Sequence, residues 1–105
     1  MSHDSKMCAT LETITYKPGK HQSAYDLTEK LLSEFRAIPG RLQMISAWNT
    51  DGVEYVLHIW ESPEAKAAAS EALNALGEKY EDVFEGFESV DLENVWYIVD
   101  QMTEA

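Results

Sequence analysis

Cysteine and basic residues are both scarce in this 105-residue chain, and each scarcity excludes a class of function. The single cysteine, Cys8, cannot form an internal disulfide, which fits a reducing compartment and predicts a cytoplasmic protein. Because Cys8 falls in an apolar stretch, we interpret it as a small core residue rather than a nucleophile. Eight Lys and Arg stand against 19 Asp and Glu, which gives a net charge of −11. That balance argues against a nucleic-acid partner and against an anionic membrane surface.

Long apolar runs are also lacking. No stretch is long and apolar enough to span a membrane, and the N-terminus has no apolar run of the kind found in secretory signals. We expect residues 1–6 to be a disordered lead-in and residues 7–105 to form a single domain with one core. The chain has three histidines, His3, His21 and His58, and no two are spaced as metal ligands on a strand or a helix. The spacing therefore predicts no metal site.

The apolar pattern that is present predicts four strands and two helices. Apolar residues three and four apart over 24–38 predict a helix, which Pro39 and Gly40 end. Ser62, a good N-cap, is followed by Pro63 and predicts the start of the second helix. The predicted strands cover 7–16, 42–49, 53–61 and 95–102.

Gly77 lies inside the second helical pattern, where glycine costs about 1 kcal/mol relative to alanine. We therefore expect the helix to break at Gly77 and to resume through Val83, Phe84 and Phe87. The order of elements is β-α-β-β-α-β, the ferredoxin-like pattern of the α+β class. It predicts a four-stranded antiparallel sheet with two helices on one face.

Both faces of this predicted sheet are apolar. On the third strand, one face carries Tyr55, Leu57 and Ile59. The opposite face carries His58 and Trp60 beside a valine. Two helices can cover one face only, and the other would leave a large apolar patch in water. We therefore predict an obligate homodimer in which two sheets pack against each other about a two-fold axis.

Three short motifs resemble those of the antibiotic-biosynthesis-monooxygenase-like proteins, a branch of the dimeric α+β barrel superfamily. They are Tyr16-Lys-Pro-Gly-Lys20 after the first strand, Ile38-Pro-Gly40 before the second, and Trp60-Glu-Ser-Pro-Glu-Ala65 after the third. The resemblance covers residues 11–102. It implies a dimeric α+β barrel, with a ligand pocket between each subunit's sheet and its own helices. The superfamily includes cofactor-free oxygenases, heme-degrading enzymes and uncharacterised members, so the resemblance predicts the fold and leaves the function open.

The resemblance allows the heme-degrading branch to be tested residue by residue. That branch uses an Asn on the first strand, a Trp in the second helix and a His beyond it. The corresponding positions here hold Glu12, Ala69 and Lys79. Since none of the three residues is present, we predict no heme-degrading activity and no cofactor.

The anthrone-oxidising branch needs an apolar pocket and a few polar groups that favour a deprotonated substrate, without metal or flavin. His58, the only histidine in a predicted strand, is a candidate general base near neutral pH. Glu12 is the second catalytic candidate, because a carboxylate in mid-strand that points inward must be paired or serve as a base. The candidate ligand-binding residues are Trp60, Trp48, Asn49 and Tyr97.

A structural reading of the same residues competes with the catalytic one. A strand histidine is usually hydrogen-bonded in a core or interface, and tryptophans usually anchor packing. Two hypotheses follow: a homodimeric, cofactor-independent monooxygenase that acts on a small aromatic or apolar molecule, or a non-enzymatic ligand-binding or structural homodimer. A cavity between sheet and helices lined by His58 or Glu12 with Trp60 would support the first, and a closed core would remove it.

Overall fold

The computed structural model describes residues 6–95. The elements follow one another as β1 (Cys8–Tyr16), α1 (His21–Arg36), β2 (Arg41–Trp48), β3 (Val53–Trp60), α2 (Pro63–Glu78) and β4 (Phe84–Leu92). The four strands form one antiparallel sheet in the order β2-β3-β1-β4. The predicted ferredoxin-like β-α-β-β-α-β arrangement is therefore confirmed. Neither of the helices within residues 6–95 is long and apolar enough to cross a membrane.

The turn of the β2–β3 hairpin is held by side-chain hydrogen bonds and by a glycine with a positive φ. The Asn49 side chain accepts hydrogen bonds from the backbone N–H of Asp51, at 2.9 Å, and of Val53, at 3.1 Å. Gly52 then adopts a φ of +87°, a left-handed conformation in which a Cβ would be strained. The turn between the two strands thus forms at Asn49-Thr-Asp-Gly52, a sequence typical of hairpin turns.

The start of α2 is capped as the sequence predicts. The Ser62 hydroxyl accepts a hydrogen bond from the backbone N–H of Ala65 at 3.0 Å, and Pro63 occupies the first helical position. Glu64 adds a negative charge in the first turn, near the positive end of the helix dipole. Such a cap stabilises the helix by about 1 kcal/mol and fixes where the chain leaves β3.

The last part of the chain differs from the prediction. The helix α2 passes through Gly77 and ends at Glu78, so Gly77 does not break it in the middle. The expected second helical segment is wrong, because Phe84 and Phe87 lie in β4. β4 was missed because its Glu, Asp, Ser and Gly residues have weak strand propensity, and pairing with β1 overrides that propensity. The strand predicted over 95–102 lies outside the described residues except for Val95, which follows the end of β4.

The side of the sheet that faces the helices holds the core. On β3, Val56, His58 and Trp60 alternate as strand geometry requires and are buried on the helix-facing side, and Ile59 is buried on the other side. Trp60 is only 1% exposed and is among the largest fully buried side chains. The core cluster consists of Cys8, Tyr16, Ala24, Leu31, Ile38, Trp60, Ala69, Leu76 and Tyr80.

The opposite side of the sheet carries a row of apolar side chains that crosses all four strands. Leu57 on β3 pairs with Ile45 on β2 and with Leu11 on β1, and Leu11 in turn pairs with Val90 on β4. Leu11, Ile45 and Val90 are 45%, 49% and 57% exposed. We call this row, with Tyr55 and Leu92 beside it, the outer apolar face.

Two glycine substitutions test how β2 and α2 fit together. Gly40 has a φ of +81°, and a Cβ added there would lie 2.6 Å from the Cβ of Ala65. We therefore expect Gly40→Ala to lower the free energy of unfolding by more than about 1 kcal/mol. A Cβ at Gly77 would meet no atom within 4 Å, so Gly77→Ala, the matched control, should raise that free energy by up to about 1 kcal/mol. Urea denaturation measures both, and equal effects would contradict this packing.

Candidate functional site

A cavity of about 710 Å³ lies between the helix-facing side of the sheet and the two helices. Its volume falls in the range of pockets that hold small molecules. Much of its lining is apolar or aromatic, including Ile14, Val56, Trp60, Leu73, Phe84 and Phe87. The position is the one that the family resemblance implied, between the sheet and its own helices.

The helix α2 lines this cavity with small and polar side chains rather than with its alanine-rich face. Ser70, Asn74 and Gly77 lie along the wall at spacings of four and three, beside Leu73. Ala69, by contrast, is buried in the core. Ala69 therefore allows α2 to pack closely, and the neighbouring small side chains leave room for the cavity.

Glu12 and His58 form a hydrogen-bonded pair in the cavity wall. The strand β1 places Glu12 opposite Val56, so Glu12 lies diagonally from His58 on the same face of the sheet. His58 Nε2 lies 2.9 Å from Glu12 Oε1, and the two side chains are 9% and 26% exposed. The imidazole also stacks on Trp60, with ring centroids 6.0 Å apart. The pair can exchange a proton with a molecule in the cavity.

Arg41 completes this polar cluster from the first residue of β2. Its Nη1 lies 3.3 Å from His58 Nδ1, and its Nη2 donates to the backbone carbonyl of Phe35. The guanidinium carbon lies 5.7 Å from the centroid of the Trp60 ring, a cation–π arrangement. Desolvation by burial lowers the pKa of Arg41, although the guanidinium remains charged at any physiological pH.

A second polar cluster is centred on Glu54, which is 4% exposed. Tyr16 donates its phenolic hydrogen to Glu54 Oε1 at 2.7 Å, and the Ser46 hydroxyl donates to the other carboxylate oxygen. Burial, and then the hydrogen bond to Glu54, raises the pKa of Tyr16 well above its usual value. The carboxylate is therefore held by two hydroxyl donors in the wall of the cavity.

Tyr80 stands beside the second cluster. Its hydroxyl lies 2.7 Å from the Thr28 hydroxyl, and its ring centroid lies 6.4 Å from that of Tyr16. Burial raises the pKa of Tyr80, so the phenol stays protonated through the physiological range. Glu54 and His58 are four residues apart on β3, so roughly 13 Å of strand separates their backbones. Val56 lies between them on the same side of the strand and also lines the cavity. The cavity wall thus carries two polar clusters within a largely apolar lining.

One rim of the cavity carries an ion pair between α2 and β4. Lys66 Nζ lies 2.6 Å from Asp91 Oδ1, and Thr10 donates to the same oxygen at 3.2 Å. The hydrogen bond from Lys66 and, to a smaller extent, that from Thr10 lower the pKa of Asp91. The pair is exposed, so its net contribution to stability is small. Among residues 6–95, no three His, Cys, Asp or Glu side chains are placed to hold a metal ion.

The predicted site residues divide by position. Glu12, His58 and Trp60 line the cavity together. Trp48 stacks on Tyr16 at 5.2 Å between ring centroids and does not line this cavity, and the Asn49 side chain accepts the hydrogen bonds of the β2–β3 turn. The remaining candidate, Tyr97, lies outside the described residues.

Sequence reasoning missed Arg41, Tyr16 and Glu54. The alternation of side chains along a strand was enough to indicate two of them. Glu54 points to the same side of the sheet as His58, and Tyr16 points to the same side as Glu12. Arg41 gave no such signal. It precedes a register shift between Arg41 and Gln43, which a regular strand pattern cannot anticipate.

Comparison with known proteins finds likeness in structure rather than in sequence. No protein-family model and no curated protein sequence matches the chain. A candidate antibiotic biosynthesis monooxygenase from Nitrosomonas europaea superposes with a TM-score of 0.75 at 13% identity, covering 91% of this chain and 97% of that chain. Another, from Caulobacter crescentus CB15, gives a TM-score of 0.74 at 20% identity, covering 87% and 92%.

A characterised oxygenase shares the same architecture. SnoaB, a cofactor-independent oxygenase from Streptomyces nogalater, superposes with a TM-score of 0.69 at 11% identity, covering 94% of this chain and 97% of that chain. The chain therefore has the fold of the antibiotic-biosynthesis-monooxygenase-like proteins, as its motifs predicted. At these identities the likeness establishes the fold, and the chemistry must be argued from the cavity itself.

The buried phenols lead to a prediction about pH. Because the pKa values of Tyr16 and Tyr80 are raised in the folded state, their contribution to stability is complete below the unfolded value near 10 and is lost as the pH rises above it. As the pH is raised, not all of the chain's five tyrosines should therefore ionise before the protein unfolds, and tyrosinate absorbance measures how many do. Tyr16→Phe and Tyr80→Phe should each remove one late-ionising group. Ionisation of all five in the folded protein would contradict the burial of these phenols.

Proposed function

We propose that this protein is a cofactor-independent monooxygenase that binds a small aromatic or apolar molecule between its sheet and its helices. The observation that carries the proposal is the Glu12–His58 pair, set at 2.9 Å in the wall of a largely apolar cavity beside Trp60. The shared fold with SnoaB, a cofactor-independent oxygenase, supports the same reading.

The chemistry follows from what such a pair can do in an apolar pocket. Removing a proton from an electron-rich ring system leaves its electron pair on the substrate, which can then reduce molecular oxygen directly. One oxygen atom enters the product and the other leaves as water, so neither metal nor flavin is needed. Low polarity around the reacting atoms strengthens the hydrogen bonds that hold the substrate anion. The apolar and aromatic lining of the cavity suits a planar ring system.

We also propose that the working form is a homodimer joined through the outer apolar face. Leu11, Ile45 and Val90 form a row of exposed apolar side chains across three strands of the sheet. A second copy of the same sheet, related by a two-fold axis, would remove that row from water and bury on the order of 1,200 Å² or more. This arrangement leaves the cavity of each subunit on the opposite side of its sheet.

A non-enzymatic ligand-binding protein is the second candidate, and one observation favours it. The buried polar groups of the cavity are satisfied within the chain: Glu12 by His58, and Glu54 by Tyr16 and Ser46. An apolar molecule could therefore occupy the space without any proton transfer. The two candidates differ in whether oxygen is consumed when the cavity is filled.

Anthrone, whose central methylene is acidic, is a suitable probe of the proposed reaction. One anthrone and one O₂ give one anthraquinone and one water, so an oxygen electrode and quinone absorbance measure the same event. We expect wild-type protein to accelerate this conversion. Glu12→Gln and His58→Ala should each reduce the rate by about 100-fold or more, because each disrupts the hydrogen-bonded Glu12–His58 pair.

Glu71→Gln is the matched control, since it removes a carboxylate from an exposed position of α2 away from the cavity. Its rate should equal that of the wild type. Quenching of tryptophan fluorescence by anthrone, without oxygen uptake above the buffer rate, would instead support the ligand-binding candidate. If anthrone causes neither fluorescence quenching nor oxygen uptake, the result argues against both candidates for this class of probe.

The dimer is tested by sedimentation equilibrium at micromolar concentration. We expect a mass of two chains for the wild type. Leu11→Asp places a charge in the centre of the outer apolar face and should give a monomer. Ala67→Asp, at an exposed position of α2, makes the same kind of change and should leave the dimer intact. A monomeric wild-type protein would contradict the proposed interface.

A further inference from the structure

The contacts of Arg41 decide how His58 is protonated. Arg41 is held in place by its bond to the Phe35 carbonyl and by the Trp60 ring, and its Nη1 lies 3.3 Å from His58 Nδ1. A guanidinium has five N–H donors and no acceptor. The bond between them can form only if His58 Nδ1 is the acceptor, and an accepting ring nitrogen carries no hydrogen.

The other ring nitrogen must then carry the proton. With Nδ1 unprotonated, the neutral imidazole has its hydrogen on Nε2, which lies 2.9 Å from Glu12 Oε1. Nε2 therefore donates to the carboxylate, and both hydrogen bonds are satisfied at once. A doubly protonated ring would instead turn an N–H toward the donors of Arg41, and that contact would be lost.

This arrangement separates the roles of the two residues. The lone pair of His58 is occupied by Arg41, so the ring has no free acceptor to offer a substrate. A carboxylate has two oxygens and about four lone-pair sites, so Glu12 keeps acceptor capacity after receiving the bond from His58. Glu12 is also the more open of the two, at 26% side-chain exposure against 9%.

We propose that Glu12 is the proton acceptor of the cavity, and that Arg41 and His58 are positioning residues that act through it. This assignment rests on the proposed function. In the step that it describes, a substrate C–H or O–H bond breaks and an O–H bond forms on Glu12. The electron pair stays on the substrate, and the negative charge passes from the carboxylate to the substrate anion. His58 keeps its proton on Nε2 throughout and holds Glu12 in place.

The first test is spectroscopic and needs no substrate. In protein labelled with nitrogen-15 at histidine, two-bond correlations distinguish the two neutral tautomers and the doubly protonated ring, and His58→Gln identifies the signals of His58. We expect the Nε2–H tautomer in the wild type at neutral pH. In Arg41→Met, His58 Nδ1 loses its donor and is free to bind a proton, while Nε2–H stays hydrogen-bonded to the Glu12 carboxylate, so the ring should become doubly protonated. Arg41→Lys restores a donor and should return the ring to the neutral form.

An Nδ1–H tautomer in the wild type, or an unchanged ring in Arg41→Met, would overturn the assignment whether or not the protein oxidises anthrone. Failure to oxidise anthrone with the expected tautomer present would instead count against the proposed function alone. The spectroscopic and kinetic results are therefore separable.

The kinetic test compares two glutamine variants. Glu12→Gln cannot accept a proton and should lose about 100-fold or more in rate. The glutamine amide of His58→Gln can still donate to Glu12, so this variant should keep a rate at least ten times that of Glu12→Gln. The reverse order would identify His58 as the acceptor and overturn the proposal.

Discussion

The pairing of β1 with β3 is the constraint on which the rest of the molecule depends. Its register sets Glu12 opposite Val56, which brings Glu12 beside His58 and, four residues further along, Tyr16 beside Glu54. A slip of one residue would turn one member of each pair to the other side of the sheet. A slip of two residues that set Glu12 opposite Glu54 would keep the side and move Glu12 roughly 13 Å along the sheet from His58. Both polar clusters of the cavity are thus consequences of one strand register.

The same two strands also build the outer apolar face, because successive side chains point to opposite sides. Leu11 follows Thr10 and precedes Glu12, so a residue exposed on the outer face stands between two that line the cavity. Packing a second sheet against that face would fix the central strands from behind. The cavity would then be bounded by a rigid sheet on one side and by the helices on the other. Dimer formation would thus influence the geometry of the cavity, although the interface and the cavity use different residues.

Much of this arrangement could be predicted from sequence, and the failures have identifiable causes. The Ser62 cap, the Asn49 turn and the alternation on β3 are local signals with local physical causes, and the structure contains all three. β4 carries acidic residues and a glycine, so its strand conformation depends on pairing with β1 across a long sequence separation. Arg41 was missed for a related reason. Its contacts with Phe35, His58 and Trp60 come from three parts of the chain, and no pattern within one element reveals them.

The polar groups of the cavity point to how a ligand would be selected. A buried carboxylate is costly unless it is paired, and here the chain pairs both Glu12 and Glu54 with its own donors. Because those donors are already engaged, a ligand gains little from competing for them and gains most from a shape that matches the apolar lining of the cavity. Discrimination would therefore depend on ring size and planarity, while the Arg41–His58–Glu12 chain would act on whichever acidic hydrogen that shape brings to it. Binding and chemistry would thus be assigned to different parts of one cavity, which allows the apolar wall to change without disturbing the proton acceptor.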